Sequence, residues 1–289
     1  MLQGRWESLP AMEPILDIAD LPQRREAAEA TAEGAALFYA FGNFCALAAR
    51  PEEASLQAMN RLKGRPLDQV GSVTTTPERT KHLFDWDRVQ LPWSALVATM
   101  ADLHALGPIG FRGPAAERIP DHLTVNDAGA RTVQLISPGD VCPSNALVAD
   151  VLDLIGEDIL YITSANSSSH VSKQTEAAHY EMREIQREFG ERDGVVLIGH
   201  RNERAIRRQY PHHLPCSTSI VAFHKGELVL ERLGSLGADM IGAVAGRHGL
   251  TLAIGEGAHE RVPVRLPGRP SLPRRRTRTP RGGARRAFA

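Results

Sequence analysis

Short, nearly unbroken apolar runs recur along this chain, and the stretches between them carry apolar residues at helical spacing. "AALFYAF" (35–41), "RTVQLI" (131–136), "GVVLIG" (194–199) and the opening of "DILYITSAN" (158–166) are rich in branched or aromatic side chains, the pattern of buried strands. "GSVTTT" (71–76) reads as a further short strand, while "STSIVAF" and "ELVLERLG" flank "HKG" (224–226) as a β-hairpin. Strands that alternate with helices and then close on a hairpin predict an α/β fold with a mixed parallel and antiparallel sheet.

The helices follow from local chemistry. Pro51, Glu52 and Glu53 open one, because proline suits the first turn and acids suit the positive end of the dipole. Leu56, Met59 and Leu62 give it a core-facing stripe, and Gly64 with Pro66 ends it. A second is expected over 93–105, with Val97, Met100 and His104 on one side and Gly107 as its stop. Ser144 caps a third, which carries Leu147, Val148, Val151, Leu152 and Ile155. A long charged helix is expected over 172–190. The Gly- and Pro-rich stretch 107–123 predicts a surface loop, and residues 1–32 a helical or irregular lead-in. The main domain is expected over 33–245, followed by a peripheral segment (246–260) in which "LTLAIGEG" (250–257) offers one more strand.

Composition narrows the class. With 289 residues, 42% of them apolar, the chain is large enough for a substantial core, and it has no apolar run of membrane-spanning length. Cys45, Cys142 and Cys216 are widely spaced with no CxxC, which fits reduced cytoplasmic thiols and no metal set. The acidic, proline-broken N-terminus is unlike a secretory signal. Residues 261–289 hold 10 arginines and no Asp or Glu, leaving 24 basic against 34 acidic residues elsewhere. That tail predicts disorder, and it is either an electrostatic contact for nucleic acid or a solvated end without a role.

Three polar clusters stand at strand or helix ends. Lys63 and Arg65 flank Gly64 just before Pro66; "TSAN" (163–166) leaves a strand; "STS" (217–219) enters the hairpin that carries Arg232. Lysine as a point charge, arginine as a planar fork, and hydroxyls with an amide to orient them form the inventory of a phosphate-binding site. No nucleophile, metal set or carboxylate pair accompanies them. Each cluster also has a plainer reading: Lys63 complementing a helix C-terminus, "TSAN" as a self-satisfied turn, Arg232 as a solvated hairpin face. Spacing alone leaves both readings open.

Taken in order, "AMNRLKGRPLDQVGSV", "LYITSANSSS" and "CSTSIVAFHKGELVLERLGS" resemble the YrdC family of threonylcarbamoyl-adenylate synthases and their relatives, over about residues 33–242. The resemblance implies a YrdC-like twisted mixed sheet flanked by helices, with a concave basic cavity. It implies a nucleotidyltransferase for which ATP, with Mg²⁺, bicarbonate and L-threonine give threonylcarbamoyl-AMP and pyrophosphate, a step in tRNA adenosine modification. Several relatives also bind double-stranded RNA. Lys63, Arg65, Ser164, Asn166, Ser217 and Arg232 match the family's nucleotide- and anion-binding positions.

The match departs on the amino-acid side. The family's Pro-Thr-Asp-Thr-Val-Tyr-Gly-Leu is "AFGNFCAL" (40–47) here, with Phe41 and Asn43 at the two threonine positions. Asn43 is therefore the candidate left to contact an amino acid. Ile136, in "QLISPGD" (134–140), stands where the family has an arginine, and Arg112 or Arg118 is the candidate to return a cation to the cavity. Two functions stay open: a synthase acting on threonine or another amine, and a non-catalytic relative that binds nucleotide or RNA.

Overall fold

The computed structural model describes residues 14–166 and 177–264. Its strands form one mixed sheet in the order β1 (Ile15–Asp17), β9 (Val195–Gly199), β2 (Ala36–Phe41), β3 (Phe44–Ala49), β8 (Leu160–Ser164), β4 (Ser72–Thr74), β7 (Ala130–Ser137), β5 (Ile109–Pro114), β10 (Ile220–Ala222), β11 (Leu228–Arg232) and β12 (Leu252–Ile254). A further strand, β6 (Thr124–Asp127), pairs with β7 alone. Parallel and antiparallel neighbours are interleaved: β2 runs antiparallel to β3 but parallel to β9, and β5 runs antiparallel to β7 but parallel to β10.

Helices cover both faces. On one, α1 (Leu21–Ala32) and α4 (Ser144–Ile155) pack together over Leu37, Tyr39, Phe41 and Ile162. On the other, α2 (Glu53–Lys63), α3 (Trp93–Leu106), α5 (Met182–Phe189) and α7 (Ala238–Arg247) enclose Phe38, Leu47, Phe111, Leu135 and Tyr161. The short α6 (Glu203–Arg207) follows β9. Alternate residues of each central strand thus face different cores, which is why those strands read as continuous apolar runs. Among the described residues no helix is long and apolar enough to cross a membrane.

Most expected elements appear, including the late hairpin β10–β11 and the extra strand β12, which runs parallel to β11. Within the first 32 residues, β1 pairs with β9 and α1 lies on α4, so the sheet begins before residue 33. Two expectations are corrected. Residues 109–114 are not surface loop but the buried strand β5, held between β7 and β10. The glycines that argued for a loop are steric requirements: a Cβ on Gly113 would stand 2.3 Å from the Phe223 ring, and one on Gly110 2.9 Å from Ile220. The charged helix is also shorter, because residues 177–181 are non-helical and α5 starts at Met182. There the Arg207 guanidinium lies 3.6 Å over the Tyr180 ring and donates to the Tyr180 carbonyl, while Met182 N–H donates to Glu203 at 2.9 Å. These contacts from α6 hold the stretch extended. The start of that expected helix and the tail from residue 265 onward lie outside the described residues.

Candidate anion-binding cleft

The cleft begins with how α2 ends. Gly64 takes a left-handed φ of 68°, and the N–H of Arg65 returns to the Asn60 carbonyl at 2.8 Å. Asn60, fully buried, then donates its amide to the carbonyls of Leu67 and Gln69 at 3.0 and 2.9 Å. The turn is thus fastened from within, and it delivers both Lys63 and Arg65 to the end of β8.

There Arg65 Nη1 donates to Thr163 Oγ1 at 2.8 Å, and Lys63 Nζ donates to the same oxygen at 3.2 Å and to the Ser164 carbonyl. Lys63 is 1% exposed. Burial, then the neighbouring Arg65 charge, hold its ammonium well below its ordinary range, with Glu188 opposing weakly. Lys63 is therefore no ornament on a helix end: its amine is spent on β8, not on the last carbonyls of α2.

Across from this pair, Arg232 at the end of β11 donates Nε to the Thr218 carbonyl at 2.9 Å and Nη2 to Thr218 Oγ1 at 3.2 Å. Burial lowers its guanidinium to about 10, which leaves it charged at neutral pH. Between the two groups lies a cleft of about 190 Å³ lined by Arg65, Ser164, Ser217 and Arg232 together with Thr163, Thr218, Ser72, Gln134 and the apolar Phe44, Ile136 and Ile162. Gln69, Val70 and Gly71 add to the wall, and among the described residues no Asp or Glu lines it. The strand register explains the convergence, since Ser72 lies opposite Ile162 and Gly110 opposite Ile136.

Of the seven residues singled out from sequence, Arg65, Ser164, Ser217 and Arg232 line the cleft, and Lys63 stands behind its wall. Asn166 is buried beside it, its Oδ1 accepting from Ser164 Oγ at 2.6 Å. Asn43 is placed elsewhere. It sits in the tight β2–β3 turn, donates its amide to the Leu214 carbonyl, and does not line the cleft. Phe41 is likewise buried in the α1–α4 core, and the aromatic wall residue is Phe44.

Neither arginine from the 107–123 stretch replaces a cation in the cleft. Arg118 pairs with Asp158 at 2.6 Å, and Arg112 pairs with Glu231 at 3.2 Å. Arg112 does touch the site indirectly: its Nη2 donates to Gln134 Oε1 at 2.7 Å, and Gln134 Nε2 donates to Ser72 Oγ at 2.6 Å. Sequence reasoning passed over Thr163 and Thr218 as individual residues and missed Ser72 and Gln134. Gln134 had a signal, being the one amide in the apolar run "RTVQLI".

A second group of charges lies where the β6–β7 and β10–β11 hairpins meet. Asp127, His224 and Glu231 offer three closely spaced ligand atoms. Lys225 Nζ already lies 3.0 Å from Asp127 and 3.5 Å from Glu231, so an ammonium supplies the positive charge there.

No protein-family model matches the chain, and no curated protein matches it by sequence. Solved structures do match. P. abyssi Sua5 complexed with L-threonine aligns with 81% of this chain and 59% of its own length, at 19% identity and a TM-score of 0.59. E. coli YciO aligns with 76% of this chain and 94% of its own, at 16% identity and 0.54. A hypothetical protein of Streptococcus mutans aligns with 85% and 99%, at 12% identity and 0.58. The chain thus spans 59% of the length of that Sua5 protein. Identities this low speak to fold alone, and the fold they share is the YrdC-like α/β sheet with its interleaved parallel and antiparallel strands.

Proposed function

We propose that this chain is a nucleotide-binding enzyme that forms a carbamoyl-adenylate from ATP, bicarbonate and an amine. The observation that carries the proposal is the convergence of Lys63, Arg65 and Arg232 on a cleft with no carboxylate among its described lining residues, each cation held by neutral oxygens. Cations set close together in this way are stabilised by an anion of several charges, and a nucleotide polyphosphate supplies it. Because no Asp or Glu lines the cleft among the described residues, Mg²⁺ would come with the nucleotide, coordinated by its phosphates.

In this reaction the amine nitrogen attacks the carbon of bicarbonate and hydroxide leaves as water. A carbamate oxygen then attacks the α-phosphorus of ATP and pyrophosphate departs. Arg65 and Arg232 bind and orient the phosphates, and Lys63 offsets charge on the carboxylated intermediate. Ser164, Asn166 and Ser217 fix the nucleotide, while the acceptor end meets Phe44 and Ile136. An apolar wall at that end favours an amine whose side chain is less polar than that of threonine. RNA bound through the cavity and the arginine-rich tail is the second reading, favoured by the 10 arginines of residues 261–289.

The test is ATP-dependent pyrophosphate release with bicarbonate, run with L-threonine and with a panel of other amines. Release that depends on bicarbonate and one amine is the expected result. ATP or RNA binding with no release under any amine would leave the chain a binding protein.

A further inference from the structure

We infer that Thr163 is the positioning residue of the cleft, a single hydroxyl that sets Lys63 and Arg65 in register for an anion. This rests on the nucleotide reading above and deepens it. The two cations leave α2 two residues apart, and nothing in α2 itself keeps their heads together. Both reach across to β8, where Thr163 Oγ1 accepts from Arg65 Nη1 at 2.8 Å and from Lys63 Nζ at 3.2 Å. A hydroxyl has two acceptor lone pairs and one donor hydrogen. Both acceptor places are filled here, and the residue lines the cleft.

The arrangement is costly unless it serves an anion. Burial lowers both Lys63 and Arg65, and the Arg65 charge lowers Lys63 further. A carboxylate at position 163 would relieve that repulsion, but it would also cancel the positive field. A neutral acceptor holds the cations in place and leaves the field intact. Threonine suits the position better than serine, because its β-branch restricts χ1 on a strand and fixes the oxygen. The backbone contributes the second hold, through the Ser164 carbonyl on Lys63. Tyr161, two residues back on the same side of β8, stands against the β4 approach: a Cβ on Gly71 would come 1.8 Å from its ring.

The experiment compares Thr163→Val, Thr163→Ala and Thr163→Ser in the full chain, reading ATP and inorganic pyrophosphate affinity by calorimetry alongside the melting temperature. Valine keeps the branched shape and loses the hydroxyl. The expected result is a loss of about tenfold or more in affinity for Thr163→Val and Thr163→Ala, with Thr163→Ser within about threefold of wild type. Melting temperature should not follow that order, since the effect lies in where the cations point. Wild-type affinity in Thr163→Val would overturn the inference while leaving the nucleotide reading in place, and Thr163→Ala decides the same point if the valine variant does not fold. A wild-type protein that binds neither ATP nor pyrophosphate would take down both.

Discussion

The same sheet holds two groups of cations that are satisfied in opposite ways. At the meeting of the β6–β7 and β10–β11 hairpins, Lys225 sits between Asp127 and Glu231, and Arg112 holds the other oxygen of Glu231. Burial pushes the Asp127 carboxyl up, yet hydrogen bonds from Lys225 and His224 outweigh it and leave the group lowered. In the cleft, Lys63, Arg65 and Arg232 find threonine hydroxyls and backbone carbonyls, and burial drives all three downward. The first group is neutral as a unit and ties hairpins together. The second carries a positive field that folding alone does not need. Position within the sheet does not separate them; the partner atoms do. Arg112 marks the boundary, since it touches the cleft through Gln134 but gives its charge to Glu231.

The sharpest way to break this contrast is Lys63→Met, which keeps the buried volume and removes the charge. Loss of the ammonium should lower ATP affinity by about a hundredfold, the scale for truncating one partner of a buried charge interaction. The fold should meanwhile gain about 1–4 kcal/mol, because burying an amine held only by neutral oxygens is costly and burying a thioether is not. The sign with pH follows. Folding holds Lys63 below its ordinary 10.5, so the unfolded chain binds more protons over that window and wild-type stability rises as pH climbs toward 10.5. Lys63→Met should flatten that rise in denaturant titrations. A variant that keeps its ATP affinity, or is destabilised at neutral pH, would remove the distinction between the two groups.

Much of the sheet was legible because its strands are buried on both faces and so appear as apolar runs, as with Ala36–Phe41 and Val195–Gly199. The Lys63–Arg65 turn was legible too, since Gly64 and Pro66 mark it. What escaped was set by partners distant in sequence. β5 looks like a loop until Phe223 and Ile220 are seen to fill the places its glycines leave. Asn43 looks like a ligand until Leu214, far along the chain, takes its amide. Thr163 looks like one letter of a turn motif until two cations from α2 arrive on it.

The next largest effect tests the scaffold beneath the cations. Gly71→Ala would drive a methyl to within 1.8 Å of the Tyr161 ring, which is fully buried. A loss of about 1–3 kcal/mol in stability is expected, accompanied by weakened ATP binding as the ring, whose hydroxyl lies beside the Arg65 guanidinium, is displaced. Undiminished stability in chemical unfolding would show that the β4–β8 contact does not hold the cleft.

Away from both charge groups, His213 ties the loop after α6 to α3, its ring nitrogens meeting Ser235 Oγ and the Leu106 carbonyl, each at 3.1 Å. Burial lowers it to about 4, against the bond to Leu106 and with help from His212. Its folded value lies below the unfolded one, so its contribution is present above about pH 6.5 and lost as pH falls toward 4. The loss amounts to about 3 kcal/mol at most. His213→Gln should flatten stability between those limits while leaving ATP affinity at pH 7.5 unchanged.

The smallest effect belongs to the paired group, and its smallness is the point. Lys225 is about a third exposed, and water and salt screen its contacts with Asp127 and Glu231. Lys225→Met should therefore cost about 1 kcal/mol or less and shrink further at high salt. It should also raise the Asp127 carboxyl, because a hydrogen bond and a charge that lower it are both removed. ATP affinity should not move, since the charge lost was already cancelled within its own group. If Lys225→Met weakened ATP binding as Lys63→Met does, the field of the cleft would extend through Gln134 and Arg112 to the hairpins, and the two groups would be one.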